Sequence, residues 1–239
     1  MSAPIDDSQL PGLREVVWPV YRIEADGPAD EDGRAANAYA VRSREGLVLV
    51  DAAQTWAMEP IAGLGQAGLR PRFHIHTSWA TLLEADALDD TVGHVAIIEG
   101  LDRRALPRTD MAEDPRENPI LHLEHIEPWP LEQALPGACM YRVEAGNILL
   151  AGDCARGPLP GEPTLLHPPA GYPSAALGDG WRRLCHEHQI DAVLPRFGEA
   201  VRRDVLGDAL FDAALANIWN GDAIDPGQGG VISRVNRAA

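Results

Sequence analysis

Lysine is absent from this 239-residue chain; all 20 basic residues are arginine. No Schiff-base or lysine-nucleophile mechanism is therefore open to it. Basic charge as a whole is scarce. Against 36 acidic residues it leaves a formal net charge of −16. Nucleic acid and anionic membrane both call for a basic face, so neither is an expected partner. Cysteine is scarce too. Cys139, Cys154 and Cys185 are an odd number, and no C-x-x-C occurs. Free thiols in a reducing compartment are the simplest reading, which predicts a cytoplasmic protein. No apolar run approaches the ~20 residues that would span a bilayer. The first residues, MSAPIDDSQLPGL, have no basic n-region and no apolar h-region, so no secretory signal is expected.

What the chain does have is apolar content, 45% of its residues, enough for a substantial core. The stretch Gly146 to Asp153, GNILLAGD, organises it. Its short apolar run between turn residues reads as a buried strand. Asp153 ends that run, either as a turn cap or as an acid presented to a cleft. YRVEAGNILLAGD follows the same grammar as NAYAVRSREGLVLVDAA earlier in the chain: strand, turn, strand, acid. Two such hairpins, ending at Asp51 and Asp153, suggest two similar halves.

Other segments supply the layers. Val16 to Ala25 reads as one strand, moved towards a sheet edge by Pro19. Thr55 to Leu69 and Ser78 to Asp90 read as helices around strands at Arg72 to Thr77 and Gly93 to Glu99. That alternation signals layered α/β packing. Residues 102–119 are charged and proline-bearing, an expected exposed excursion. Ile120 to Leu131 alternates and reads as a strand. Gly157 to Pro173 carries six prolines and three glycines, and so long an irregular stretch usually borders a site. A helix over Ala175 to Gln189, a strand at Ile190 to Gly198 and an amphipathic helix over Glu199 to Asn220 complete the pattern. Residues 1–36 are read as a lead-in with the first strand, 37–220 as the main domain and 221–239 as a surface strap, one compact domain in all.

Four segments, in order, resemble the metallo-β-lactamase superfamily. NAYAVRSREGLVLVDAA resembles its opening hairpin, and RFHIHTSWATLLEADAL its strand, Thr-His and H-x-H-x-D-H region. PGACMYRVEAGNILLAGD resembles the segment that ends on the bridging Gly-Asp. IDAVLPRFGEAV resembles the last strand and its Leu-Pro-Gly-His-Gly loop. The resemblance implies an α/β fold, a four-layer αββα sandwich with the site at one edge between two sheets. It also implies two metal ions that activate water, with zinc, iron or manganese suited to imidazole and carboxylate ligands.

Carried over position by position, those ligands are mostly missing. With Thr77 on the family threonine, H-x-H-x-D-H falls on Ser78, Ala80, Leu82 and Leu83. The histidine before the second Pro-Gly falls on Ala134. The bridging aspartate is kept as Asp153, and the last histidine becomes Phe197. The expectation is that the dinuclear site and the hydrolase activity are lost, that no metal cofactor is held, and that the scaffold serves to bind a small molecule or a protein partner. Its binding residues would be Ser78, Trp79, Asp153, Arg156, His167, Arg196 and Phe197, with Trp56 and Trp129 near the mouth. Two alternatives stay open. One is an active hydrolase of esters, thioesters or lactones, with a rearranged Zn, Fe or Mn site built from His74, His76 and Asp153, or with His167. The other is a structural subunit of a homo-oligomer. His122 and His125 fall on opposite faces of a regular strand, and His186 and His188 on a solvated helix. Cys154 reads as packing and Asp51 as structural. Arg156 and Arg196 flank the retained loops and, if they converge, offer an anion site.

Overall fold

The computed structural model describes residues 10, 12–43, 46–62, 69–83, 93–95, 112–131, 137–169 and 174–220. It holds two mixed sheets. The first has seven strands in sequential order: β1 (Leu13–Val17), β2 (Val20–Ile23), β3 (Tyr39–Arg42), β4 (Leu47–Val50), β5 (Pro71–Ile75), β6 (Gly93–Val95) and β7 (Ala112–Glu113). The second runs β12 (Val201–Arg202), β11 (Ala192–Phe197), β10 (Ile148–Arg156), β9 (Cys139–Val143) and β8 (Ile126–Pro130). The helices are α1 (Thr55–Met58), α2 (Trp79–Leu83), α3 (Pro119–Leu123), α4 (Ser174–Glu187), α5 (Arg203–Leu206) and α6 (Asp208–Asn220).

Period-two alternation sorts the strand side chains into layers. In β4, Val48 and Val50 enter the core between the sheets, while Leu47 and Leu49 enter the core beneath α1. In β10, Ile148 and Leu150 face the first sheet, whereas Leu149 and Ala151 pack against α4 and α6. Those helices offer Leu177, Trp181 and Leu184, and Phe211, Ala214, Leu215 and Ile218. Each set follows the helical spacing that lays side chains on one face. The result is an α/β sandwich whose two sheets meet face to face.

Several local expectations are corrected. Val16 to Ala25 is two strands: β1 and β2 pair antiparallel on either side of the Trp18–Pro19 turn. Ile120 to Leu131 does not begin as a strand. Asn118 Oδ1 accepts from the backbone N–H groups of Ile120 and Leu121, and Pro119 occupies the first turn, so α3 forms before β8. Capping outweighs an alternation only a few residues long. His122 therefore lies on a helix, and His125 in the turn after it with φ 56°. The final helix is broken at Gly207, φ 77°, into α5 and α6, and Val201–Arg202 pairs as a strand instead. α1 stops at Met58 and continues as a 3-10 turn over Glu59–Ile61. The parts of the expected segments at 63–68, 84–90, 96–99 and 102–111, and the strap at 221–239, lie outside the described residues. Among the described residues no helix is long and apolar enough to cross a membrane.

Candidate functional site

Both acid-bearing hairpins end at the same seam between the sheets. β3 and β4 pair antiparallel and deliver Asp51; β9 and β10 do the same for Asp153. Asp51 sits at φ 50°, a left-handed conformation open to aspartate, and is buried. Thr77, just past β5, donates twice to it: its N–H to Oδ1 at 2.9 Å and its hydroxyl to Oδ2 at 2.6 Å. Burial pushes the Asp51 carboxyl up to about 6, with Asp153 adding to the rise; the Arg196 guanidinium and the Thr77 hydrogen bonds oppose it.

Gly152 makes the seam possible. A Cβ there would lie 1.8 Å from Thr77 Oγ1, and its φ is +52°. The β10–β11 register also shifts around it, a bulge of the kind that re-aims the next side chain. That side chain is Asp153. Its Oδ2 accepts from Ser78 Oγ at 2.7 Å and from Arg196 Nη1 at 3.3 Å, and Oδ1 lies 3.5 Å from the same Nη1. Arg196 is 5% exposed, and its guanidinium lies over the Phe197 ring at 5.0 Å. Ser78 caps the first turn of α2: Thr81 N–H donates to its Oγ at 3.3 Å, and Thr81 Oγ1 donates to its carbonyl at 2.8 Å.

The first sheet fixes the loop that carries Arg196. Asn37 donates its backbone N–H to the Arg196 carbonyl at 2.6 Å. Its side-chain amide reaches the carbonyls of Pro195 and Gly198, and the Tyr39 hydroxyl also donates to Pro195. Neither residue was a candidate from sequence; their apolar, strand-like surroundings carried no signal. Gln54, three residues past Asp51, is 5% exposed, and among the described residues neither of its amide atoms has a hydrogen-bond partner.

The structure thus brings Ser78, Asp153, Arg196 and Phe197 together and adds Asp51 and Thr77. It does not bring Arg156 beside them as a free cation. Arg156 pairs with Asp32 at 3.0 Å and Glu31 at 3.2 Å, and the buried Arg34 engages Asp32 in the same cluster. His167 belongs there too, exchanging backbone hydrogen bonds with Arg156. Burial and the charge of Arg34 lower its imidazole pKa, which favours the neutral ring. His74 lies on the face of β5 opposite Phe73 and Ile75, away from the inter-sheet core. Its ring stacks on that of His76 at 6.4 Å, and His76 Nδ1 lies 3.3 Å from Thr81 Oγ1. Trp56, on α1, packs against the core beneath that helix, and Trp129 packs against Arg183 and His188. Cys154 is buried in the helix-side core, and burial raises its thiol pKa well above the usual value. The side chains of Trp79 and Leu83, and Ala134, lie outside the described residues.

The donor set does not fit a metal of the kind this fold implies. A catalytic zinc takes three protein ligands from histidine, cysteine or carboxylate. Ala80, Leu82 and Phe197 have no lone pair to offer. Asp153 already accepts from a hydroxyl, and a permanent cation sits beside it. Among the described residues no three His, Cys, Asp or Glu side chains are grouped to hold an ion.

No family model and no curated protein sequence matches the chain. Solved structures do. The metallo-β-lactamase FIM-1 from Pseudomonas aeruginosa, in its mono-zinc form, aligns over 87% of this chain and 94% of its own, at 12% identity and TM-score 0.57. A metallo-β-lactamase from Pontibacter korlensis aligns over 87% and 98%, at 13% identity and TM-score 0.60. One from Hirschia baltica aligns over 86% and 96%, at 15% identity and TM-score 0.57. Identity at that level speaks for architecture alone. On the two hairpins, the seam they share and these alignments, the chain has the metallo-β-lactamase fold.

Proposed function

We propose that the protein is a metal-independent binding protein of this fold and not a hydrolase. The observation that carries the reading is the donor set. Alanine, leucine and phenylalanine stand where lone pairs are required, and Asp153 is engaged by Ser78. Such a centre cannot lower the pKa of a water or polarise a carbonyl as a metal does. A binding role is supported by Gln54, buried three residues past Asp51 with neither amide atom hydrogen-bonded among the described residues. A buried amide without partners costs about 1–3 kcal/mol, and a bound polar group would relieve that cost. The protein works without zinc, iron or manganese, among cytoplasmic small molecules.

Elemental analysis of protein purified without chelator tests the reading. Less than a tenth of an equivalent of transition metal per chain is expected. Thioester, lactone and phosphodiester substrates should turn over no faster with added zinc or manganese than without. Two equivalents of zinc or iron per chain, or metal-stimulated hydrolysis, would refute it.

A further inference from the structure

We infer that Arg196 is a built-in counter-cation: its guanidinium does at Asp153 the charge-balancing that a bound metal ion does elsewhere in this fold. The inference rests on the metal-independent reading and assigns Arg196 the part of a positioning residue.

Charge and geometry lead to it. Two carboxylates, Asp51 just past β4 and Asp153 within β10, come from hairpins of different sheets. The charge of Asp153 works against ionisation of Asp51, and like charges repel unless a cation compensates them. Arg196 is the cation in direct contact with Asp153, at 3.3 Å. It is also the leading charge that favours an ionised Asp51 against burial and the repulsion of Asp153. Its side chain is only 6% exposed, so solvent screens the pair little.

The guanidinium is held in place and does not merely drift there. Asn37 and Tyr39 fix the carbonyls of Pro195, Arg196 and Gly198 from the first sheet. The Phe197 ring gives the cation a face at 5.0 Å. An arginine fixed in this way cannot be deprotonated or shed. A divalent ion brought to Asp153 would meet a positive charge already seated. The missing histidines and the present arginine are then two sides of one change: without a metal, the acids at the seam need another cation, and β11 supplies it.

The test uses the full chain, with thermal midpoints measured at neutral pH, with and without millimolar zinc. Arg196→Met should lower the midpoint by about 8 °C, as expected when a partly buried ion pair loses its buried cation. Arg196→Lys should recover much of that loss by keeping a cation. Asp153→Asn placed on Arg196→Met should recover it as well, because the charge left behind is gone. Zinc should leave the wild-type chain, Arg196→Met and the double variant all unmoved, since among the described residues none of them gathers three metal ligands. If Arg196→Met is too unstable to purify, the double variant decides: it folds if charge balance is what Arg196 provides. A loss in Arg196→Met that Asp153→Asn does not restore overturns the counter-cation while leaving the metal-independent reading standing. A midpoint that does not fall in Arg196→Met also overturns it. Zinc stabilisation of the wild-type chain instead overturns the reading beneath it.

Discussion

Replacing Asp51 by asparagine isolates the electrostatic cost of the seam. The Asp51 carboxyl moves from 3.8 to about 6 on folding, chiefly because burial penalises its charge. A group whose folded pKa is raised stabilises the fold fully below its unfolded pKa, and that contribution is lost as pH rises through the folded one. The window therefore runs from about pH 4 to about pH 6.5. A rise of this size corresponds to about 3 kcal/mol. Asparagine is nearly isosteric and does not titrate. Its amide oxygen can accept from the Thr77 N–H, and its amide nitrogen can donate to the Thr77 hydroxyl. The stability of Asp51→Asn minus that of wild type should thus climb by about 3 kcal/mol across the window and be flat on either side. Urea unfolding at half-unit pH steps, extrapolated to water for both proteins, measures the difference directly. A difference that stays constant within about 0.5 kcal/mol, or that falls as pH rises, would refute the account of a carboxylate ionised against its burial.

Two further substitutions test the local geometry. Gly152→Ala puts a methyl group 1.8 Å from Thr77 Oγ1 at a backbone φ of +52°. It should cost more than about 3 kcal/mol in denaturant unfolding or prevent folding outright; a loss below ~1 kcal/mol would mean the sheets meet differently. Asn118→Ala removes the cap on α3 and should cost about 1 kcal/mol, read as a lower urea midpoint at unchanged slope. An unchanged midpoint would count against the cap as the reason for a helix there.

Much of the fold was legible because its signals are local. The apolar runs LVLV and ILLA, each between turn residues, gave the paired hairpins. The resemblance at LPRFG and LLAGD made Asp153 and Phe197 candidates, with Arg196 flanking a retained loop, and in the structure Arg196 touches both. Where reading failed, a competing local preference had won. Asn118-Pro119 capped a helix inside an alternating stretch, and Gly207 broke what periodicity read as a single helix. Arg156 looked equivalent to Arg196, since both flank a retained loop. Their difference is the acidic turn at Asp30–Asp32, more than a hundred residues away, which claims one and not the other.

The sequence alone determines which side chains can donate to a metal, because that is covalent chemistry: no arrangement lends alanine, leucine or phenylalanine a lone pair. It also determines that the apolar runs LVLV and ILLA are each followed by an acid, Asp51 and Asp153, although β10 itself runs on to Arg156. Only the tertiary structure decides what those acids meet. Thr77 reaches Asp51, and Arg196 and Ser78 reach Asp153, across long separations in the chain. Contacts of that kind depend on how two twisted sheets close on each other, and no short stretch of sequence encodes that closure by itself.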